Sequence, residues 1–253
     1  MGFTPFSLLL PEREIAYVPS GTAYRVLRQS REARGQGVLA LGDPDYGTPV
    51  PSDGAVAMRG AMRLVPLPAT REEAKQIGDV VLLDEQASRS AFLDALAKRK
   101  RWEAVHLACH GLVDPARPAN TALALALEPD GQCLLPCEEI FTLQVPADLT
   151  VLSACETGRG AVYRSEGIVG LAQAFMLAGS PRVLVSLWRV DDRATQALML
   201  AFYDAWRPKD GRPRMGAAAA LRHAQAKVRS DPDHPEWKHP FYWAAWVLWG
   251  LPD

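Results

Sequence analysis

Short apolar runs alternating with helical patterns predict an α/β protein whose mostly parallel sheet is covered on both faces. Three observations carry that expectation. First, residues 38–42, 80–83, 104–109, 149–154 and 182–187 are mostly apolar at successive positions, not at alternate ones. That pattern suits central parallel strands. Second, residues 88–98, 166–178, 192–206 and 216–228 carry apolar side chains at helical spacing between or after these runs. Third, no linker, internal repeat or low-complexity tract interrupts the alternation. Residues 1–253 therefore read as one domain, with 1–37 as its lead-in.

Each element has its own signal. Residues 42–52 are rich in Pro, Gly and Asp and read as a loop. In 88–98, Phe92, Leu93, Leu96 and Ala97 form one stripe. Residues 122–127 and 132–135 flank Pro129-Asp130-Gly131 and read as a β-hairpin, since Asp-Gly is a strong turn signal. Pro136 then precedes a helix start at Cys137. In 166–178 the stripe is Ile168, Leu171, Ala172, Phe175 and Met176, with Gly179 as the stop and Pro181 beyond. The aromatic stretch 239–250 reads as a closing edge strand or helix packed on the core, in preference to a cofactor-stacking element.

Composition excludes several classes. The chain has 253 residues, 48% of them hydrophobic and 23% charged, with 28 Lys+Arg against 29 Asp+Glu. These are globular values, and a chain this long buries a core without staples. Near-neutrality argues against a nucleic-acid partner. Four cysteines are too few for a disulfide framework and suit a reducing compartment. No apolar run approaches the ~18 residues of a spanning helix, and the first residues lack a basic signal-peptide start. The expectation is a cytoplasmic protein without membrane attachment.

The common catalytic motifs are absent. There is no GxGxxG after a strand, no GxxxxGK[ST], no GxSxG and no HExxH. A zinc site drawn from Cys109, His110, Cys133 and Cys137 lacks a second ligand pair at metal spacing, so structural thiols are the better reading and no cofactor or metal is expected. One pair is more informative. His110 and Gly111 close the run 104–109, and Cys155 follows the run 149–154. Ligands of open α/β sheets collect at the C-terminal strand edge, so a His and a Cys there make a nucleophile–base pair. The backbone N–H groups of Cys155 and Gly111 are then candidate oxyanion donors. His106, four residues earlier on the same predicted face, is a rival base or a core histidine.

The motifs around these residues resemble the CHAT family of caspase-like cysteine peptidases, relatives of caspases and separase. They are Val105-His106-Leu107-Ala108-Cys109-His110-Gly111, Val151-Leu152-Ser153-Ala154-Cys155-Glu156-Thr157-Gly158 and Glu166-Gly167-Ile168-Val169-Gly170-Leu171. Ala178-Gly179, the run Val185-Ser186-Leu187-Trp188-Arg189-Val190-Asp191-Asp192, and the closing 239–250 continue the series. Cys109 stands where Thr more commonly precedes the histidine. The resemblance implies a caspase–haemoglobinase-like three-layer α/β/α sandwich and selects His110 and Cys155 as the dyad.

It also implies a function. The chain is expected to be a cysteine endopeptidase performing limited proteolysis of protein partners in bacterial signalling or immunity. The alternative is a catalytically silent caspase-like interaction module. Family members usually carry TPR or other sensor regions, so a TPR-type regulatory partner is expected, and the chain is either a compact member or a piece of a larger one. Resemblance to separase places an acidic substrate pocket residue at Asp192, which favours a basic P1 side chain. Asp191 either caps the helix from 192 or shares that role. Trp188 walls the pocket or packs in the core. Glu166 sits at the positive start of its helix and completes the candidate substrate-binding set.

Overall fold

The computed structural model describes residues 4–29, 33–47, 64–113, 121–153, 164–188 and 190–253, with the side chains of 164–166 outside that description. Its centre is a six-stranded sheet of β1 (Val38–Pro44), β2 (Val80–Asp84), β3 (Trp102–Ala108), β7 (Ala147–Leu152), β8 (Arg182–Ser186) and β9 (Trp246–Gly250). The order is β2-β1-β3-β7-β8-β9. The first five strands are parallel, and β9 runs antiparallel along β8 as the closing edge. Every residue of β1 and β3 is buried, which explains runs with no polar alternation.

Seven α-helices are described. They are α1 (Gly21–Gln29), α2 (Pro68–Ile77), α3 (Arg89–Ala97), α4 (Cys137–Ile140), α5 (Arg164–Leu177), α6 (Asp192–Trp206) and α7 (Ala217–Arg229). Leu39, Val105 and Leu107 on one sheet face share a core with Phe92 of α3, Ile140 of α4 and Phe175 of α5. Val38, Ala104 and Val151 on the other face share a second core with Ile77 of α2, Phe202 of α6 and Leu221 of α7. The result is three layers. The Ser88 hydroxyl accepts from Ala91 N–H at the start of α3, and Gly179, at φ 118°, reverses the chain after α5. Among the described residues, no helix is long and apolar enough to cross a membrane.

The expected hairpin is present as β5 (Ala122–Ala124) and β6 (Leu134–Pro136), with Leu123 opposite Leu135. It has a third strand that the apolar pattern did not separate. The run 104–109 ends as a sheet strand at Ala108, the chain bends at Cys109, and β4 (His110–Leu112) pairs antiparallel with β5. His106 and His110 therefore belong to different sheets and do not share a face, because the bend breaks the two-residue alternation between them. α1 and α2 were also unforeseen. Pro68 at the first turn of α2 is a start signal that a pass for apolar stripes overlooks.

Candidate active site

The segment leading into α2, α2 itself, the residues just after β3 and β7 and the start of α6 converge on one cavity of about 50 Å³. Val65, Thr70, Glu73, Cys109, His110, Ser153, Asp192 and Thr195 are in its lining. His110 arrives through the bend at Cys109 and is 3% exposed. Its Nε2 lies 2.8 Å from the Val65 carbonyl oxygen. A carbonyl only accepts, so that contact needs the proton on Nε2 and leaves the lone pair of a neutral ring on Nδ1. The Tyr46 ring sits 5.3 Å from the imidazole, and its hydroxyl accepts from the His110 backbone N–H at 3.3 Å. Burial first, with repulsion from a Cys109 thiolate at high pH second, pushes the Tyr46 phenol far above its ordinary range, so it stays protonated.

The loop that supplies Val65 is itself held. Asp43, buried at the end of β1 with φ 45°, accepts from Leu67 N–H at 3.0 Å and from Arg71 Nε at 3.0 Å. Thr70 Oγ1 accepts from Asp43 N–H at 2.8 Å and donates to the Leu67 carbonyl at 2.7 Å. Gly42 lets α2 sit close to β1, since a Cβ there would lie 2.5 Å from the Thr70 carbonyl oxygen. None of these groups carries a sequence motif. Asp43 and Thr70 are far from His110 in sequence, and only the fold joins them.

Gly111 follows on β4. Thr121 O and Leu125 N–H of β5 and its flanks bond toward β6, through Cys137 N–H and Cys133 O. Backbone groups alternate sides along a strand. Ala122 and Ala124 therefore face β4, opposite Leu112 and His110. Gly111, opposite Leu123, then turns its N–H away from β5, off the outer edge of that sheet.

The other expected site residues separate into two groups. Asp192 is exposed in the first turn of α6 and lines the cavity with His110. Asp191 is the helix cap: its Oδ1 accepts from Arg193 N–H at 3.0 Å and Ala194 N–H at 3.1 Å. Trp188 donates from Nε1 to the Phe241 carbonyl at 2.9 Å and packs partly buried between the cores. Glu166 falls within α5, but its side chain lies outside the described residues, as does Cys155. The rival base His106 is fully buried under α2 and α6, with Nε2 2.9 Å from Glu73 Oε1 and Nδ1 3.4 Å from the Tyr203 hydroxyl. Burial pushes the Cys109 thiol up to about 12 and raises Cys133 and Cys137 as well. Among the described residues, no group of three or more His, Cys, Asp or Glu suits a metal ion.

Comparison with known proteins agrees with this architecture. Human tetratricopeptide repeat protein 28 is 27% identical over 222 residues, covering 73% of this chain and 8% of the relative. The mouse protein of the same name is also 27% identical, with 9% of its length covered. The chain thus spans less than a tenth of the curated relatives it matches. Among solved structures, separase in the Saccharomyces cerevisiae separase–securin complex superposes with a TM-score of 0.58. It is 15% identical, with 96% of this chain and 14% of that chain covered. At that identity the likeness concerns the fold, a caspase-like α/β/α sandwich. A CHAT domain signature matches residues 7–251. The chain belongs to the CHAT domain family.

Proposed function

We propose that the chain is a cysteine endopeptidase with Cys155 as nucleophile and His110 as its acid–base partner. One observation carries the reading most directly. The Val65 carbonyl engages Nε2 of His110, which makes Nδ1 the proton-accepting nitrogen of a ring that lines the strand-end cavity. Cys155 follows Ser153 by two residues in the sequence, and Ser153 lines the same cavity as His110. The three other thiols are buried and held above their ordinary range, so they are poor nucleophiles.

The chemistry is acyl transfer. The Cys155 thiol passes its proton to His110 Nδ1 as the sulfur attacks the peptide carbonyl carbon. The N–H groups of Gly111 and Cys155 receive the oxyanion. The C–N bond breaks, His110 returns the proton to the leaving amine, and a thioester remains. Water then attacks the thioester, giving its proton to His110. Collapse releases the carboxylic acid and restores the thiol. Asp192 at the cavity mouth favours a basic P1 side chain, with Trp188 and Glu166 as neighbouring substrate contacts and Asp191 holding α6 in place. Protein substrates and a TPR-type partner follow as expectations of the same reading.

The test is a fluorogenic peptide library read with the parent chain and Cys155→Ala. Cleavage by the parent and none by a folded Cys155→Ala is expected. Undiminished cleavage by that variant removes Cys155 from the mechanism.

A further inference from the structure

We propose that the groove between α1 and α5 docks an amphipathic helix of a partner protein, through an apolar stripe and one carboxylate. The groove measures about 930 Å³. Arg101, Asp148 and Arg182 in its lining place it at the N-terminal ends of β3, β7 and β8. His110 lies at the opposite strand ends, so this surface stands independently of the peptidase reading. Ala23, Val26 and Leu27 of α1 line one side at helical spacing. Gln173, Met176 and Leu177 of α5 line the other at the same spacing. Val26 is 55% exposed and Leu177 is 74% exposed.

α1 lacks the packing that normally holds a helix. It has nine residues, and none of them is buried. Helices that short are marginal in water and rely on a covered apolar face. A third helix laid between the two stripes covers both at once. β3, β7 and β8 are interior strands with both edges paired. An extended peptide therefore finds no edge of these strands to join, and a helix suits the groove better.

Charge sets the polar residue of the partner. The Arg182 side chain is 17% exposed. Among the described residues its guanidinium donates once, from Nη1 to the Asp148 carbonyl at 3.3 Å, and its buried Nε has no hydrogen bond. Asp253 Oδ1 stands 3.9 Å from Nη2, and that exposed carboxylate also pairs with Arg28 at 3.2 Å. Asp148 is already engaged: Oδ1 accepts from Arg101 Nε at 2.6 Å and Oδ2 from Gly35 N–H at 2.9 Å. Burial pushes Arg182 below its ordinary range, with Asp253 and Asp148 opposing. A carboxylate on the partner helix supplies the charge-assisted bonds that this cation lacks. A second copy offering its own α1 would bring Arg25 and Arg28 and no carboxylate, which favours a different protein.

The experiment uses the full chain and three blocked, Ala-rich peptides of about 18 residues, long enough to hold a helix alone. Each carries Leu at i, i+3, i+4 and i+7 and, beside that stripe, one Glu, Gln or Lys. Fluorescence anisotropy measures their affinities. The Glu peptide should bind about fivefold more tightly than the Gln peptide and about tenfold more tightly than the Lys peptide. Arg182→Gln should bring the Glu and Gln peptides within about twofold of each other. Leu177→Gln and Val26→Gln, both neutral changes at exposed positions, should each weaken the Glu peptide about threefold or more. Equal affinity for the three peptides, binding by none of them, or no loss in Leu177→Gln overturns the assignment. Should Arg182→Gln fail to fold, the Glu-against-Lys comparison on the parent chain decides the charge half by itself. Sedimentation velocity covers the rival occupant. A dimer of the parent that Leu177→Gln dissolves would give the groove to a second copy and overturn the proposal.

Discussion

Thr70→Val preserves the outline of a buried side chain and removes a hydroxyl that bonds two loop groups. Thr70 Oγ1 accepts from Asp43 N–H at 2.8 Å and donates to the Leu67 carbonyl at 2.7 Å. The variant leaves the Asp43 N–H unpaired in a buried place, at a cost of about 1–3 kcal/mol. Losing the bond to Leu67 adds about 1 kcal/mol. Asp43 already holds a left-handed φ of 45°, so it has little tolerance for a lost anchor. Partial relaxation brings the expected total to about 2–3 kcal/mol, or roughly 4–12 °C in Tm for a domain of this size. The consequence reaches the site, because the same loop presents the Val65 carbonyl to His110. A displacement near 1 Å there costs as much as about 100-fold in rate, and kcat/KM should fall about 10- to 100-fold. Urea unfolding followed by tryptophan fluorescence gives the first number, and a fluorogenic peptide gives the second. Thr70→Ser, which keeps the hydroxyl, should restore most of both. A Thr70→Val chain within 0.5 kcal/mol of the parent, with kcat/KM intact, would refute the reasoning about this loop.

Three further outcomes follow from separate contacts. Glu103 is buried and receives Arg207 Nε at 2.5 Å, Arg34 Nε at 3.4 Å and Arg214 Nη1. Glu103→Gln should cost about 3 kcal/mol in urea unfolding by stranding partly buried cations. Arg34→Ala should cost under about 1 kcal/mol, since Arg34 is half exposed, and a larger loss for Arg34→Ala than for Glu103→Gln would reverse this ranking. Cys109 is neutral in the folded state up to about pH 12 against 9.0 for the unperturbed thiol. Its folded value is raised, so its contribution is full below pH 9 and is lost as pH rises toward 12, by up to about 4 kcal/mol. Cys109→Ala should therefore flatten the decline of stability above pH 9, and parallel curves for the two proteins would count against a titrating buried thiol. Gly250 sits at φ 96°, with the Pro181 carbonyl oxygen 2.0 Å from where a Cβ would stand. Gly250→Ala should loosen β9 from β8, seen as faster amide exchange at Trp246–Gly250, and unchanged exchange would show that this edge yields freely.

Much of the architecture was legible because burial on both faces writes itself into composition. β1, β7 and β8 follow from mostly apolar runs, and α6 from its Asp191 cap and apolar stripe. The Asp-Gly turn marked the β5–β6 hairpin. The bend at Cys109 was not legible, because apolar residues continue through it and nothing local distinguishes strand from bend. It took the pairing of β4 with β5 to pull His110 out of the central sheet.

The site divides along the same line. Local chemistry marked His110 beside Gly111 and Cys155 after its strand, since a reactive side chain beside glycine is visible in a few residues. Sequence also marked Asp191 and Asp192, and the structure assigns the cap to the first. Val65, Thr70 and Glu73 were invisible as site residues because their roles exist only across space. Val65 matters through a backbone carbonyl, which every residue has. Glu73 sits in a polar helix whose other carboxylate, Glu72, faces solvent and Lys75, and periodicity cannot tell the two apart. The sequence by itself determined the layers and singled out His110 and Cys155 as a candidate pair, because apolar patterning and residue chemistry are local. Tertiary structure alone decided which carbonyl meets the histidine and which carboxylate lines the same cavity, because those arrangements form only when distant segments come together.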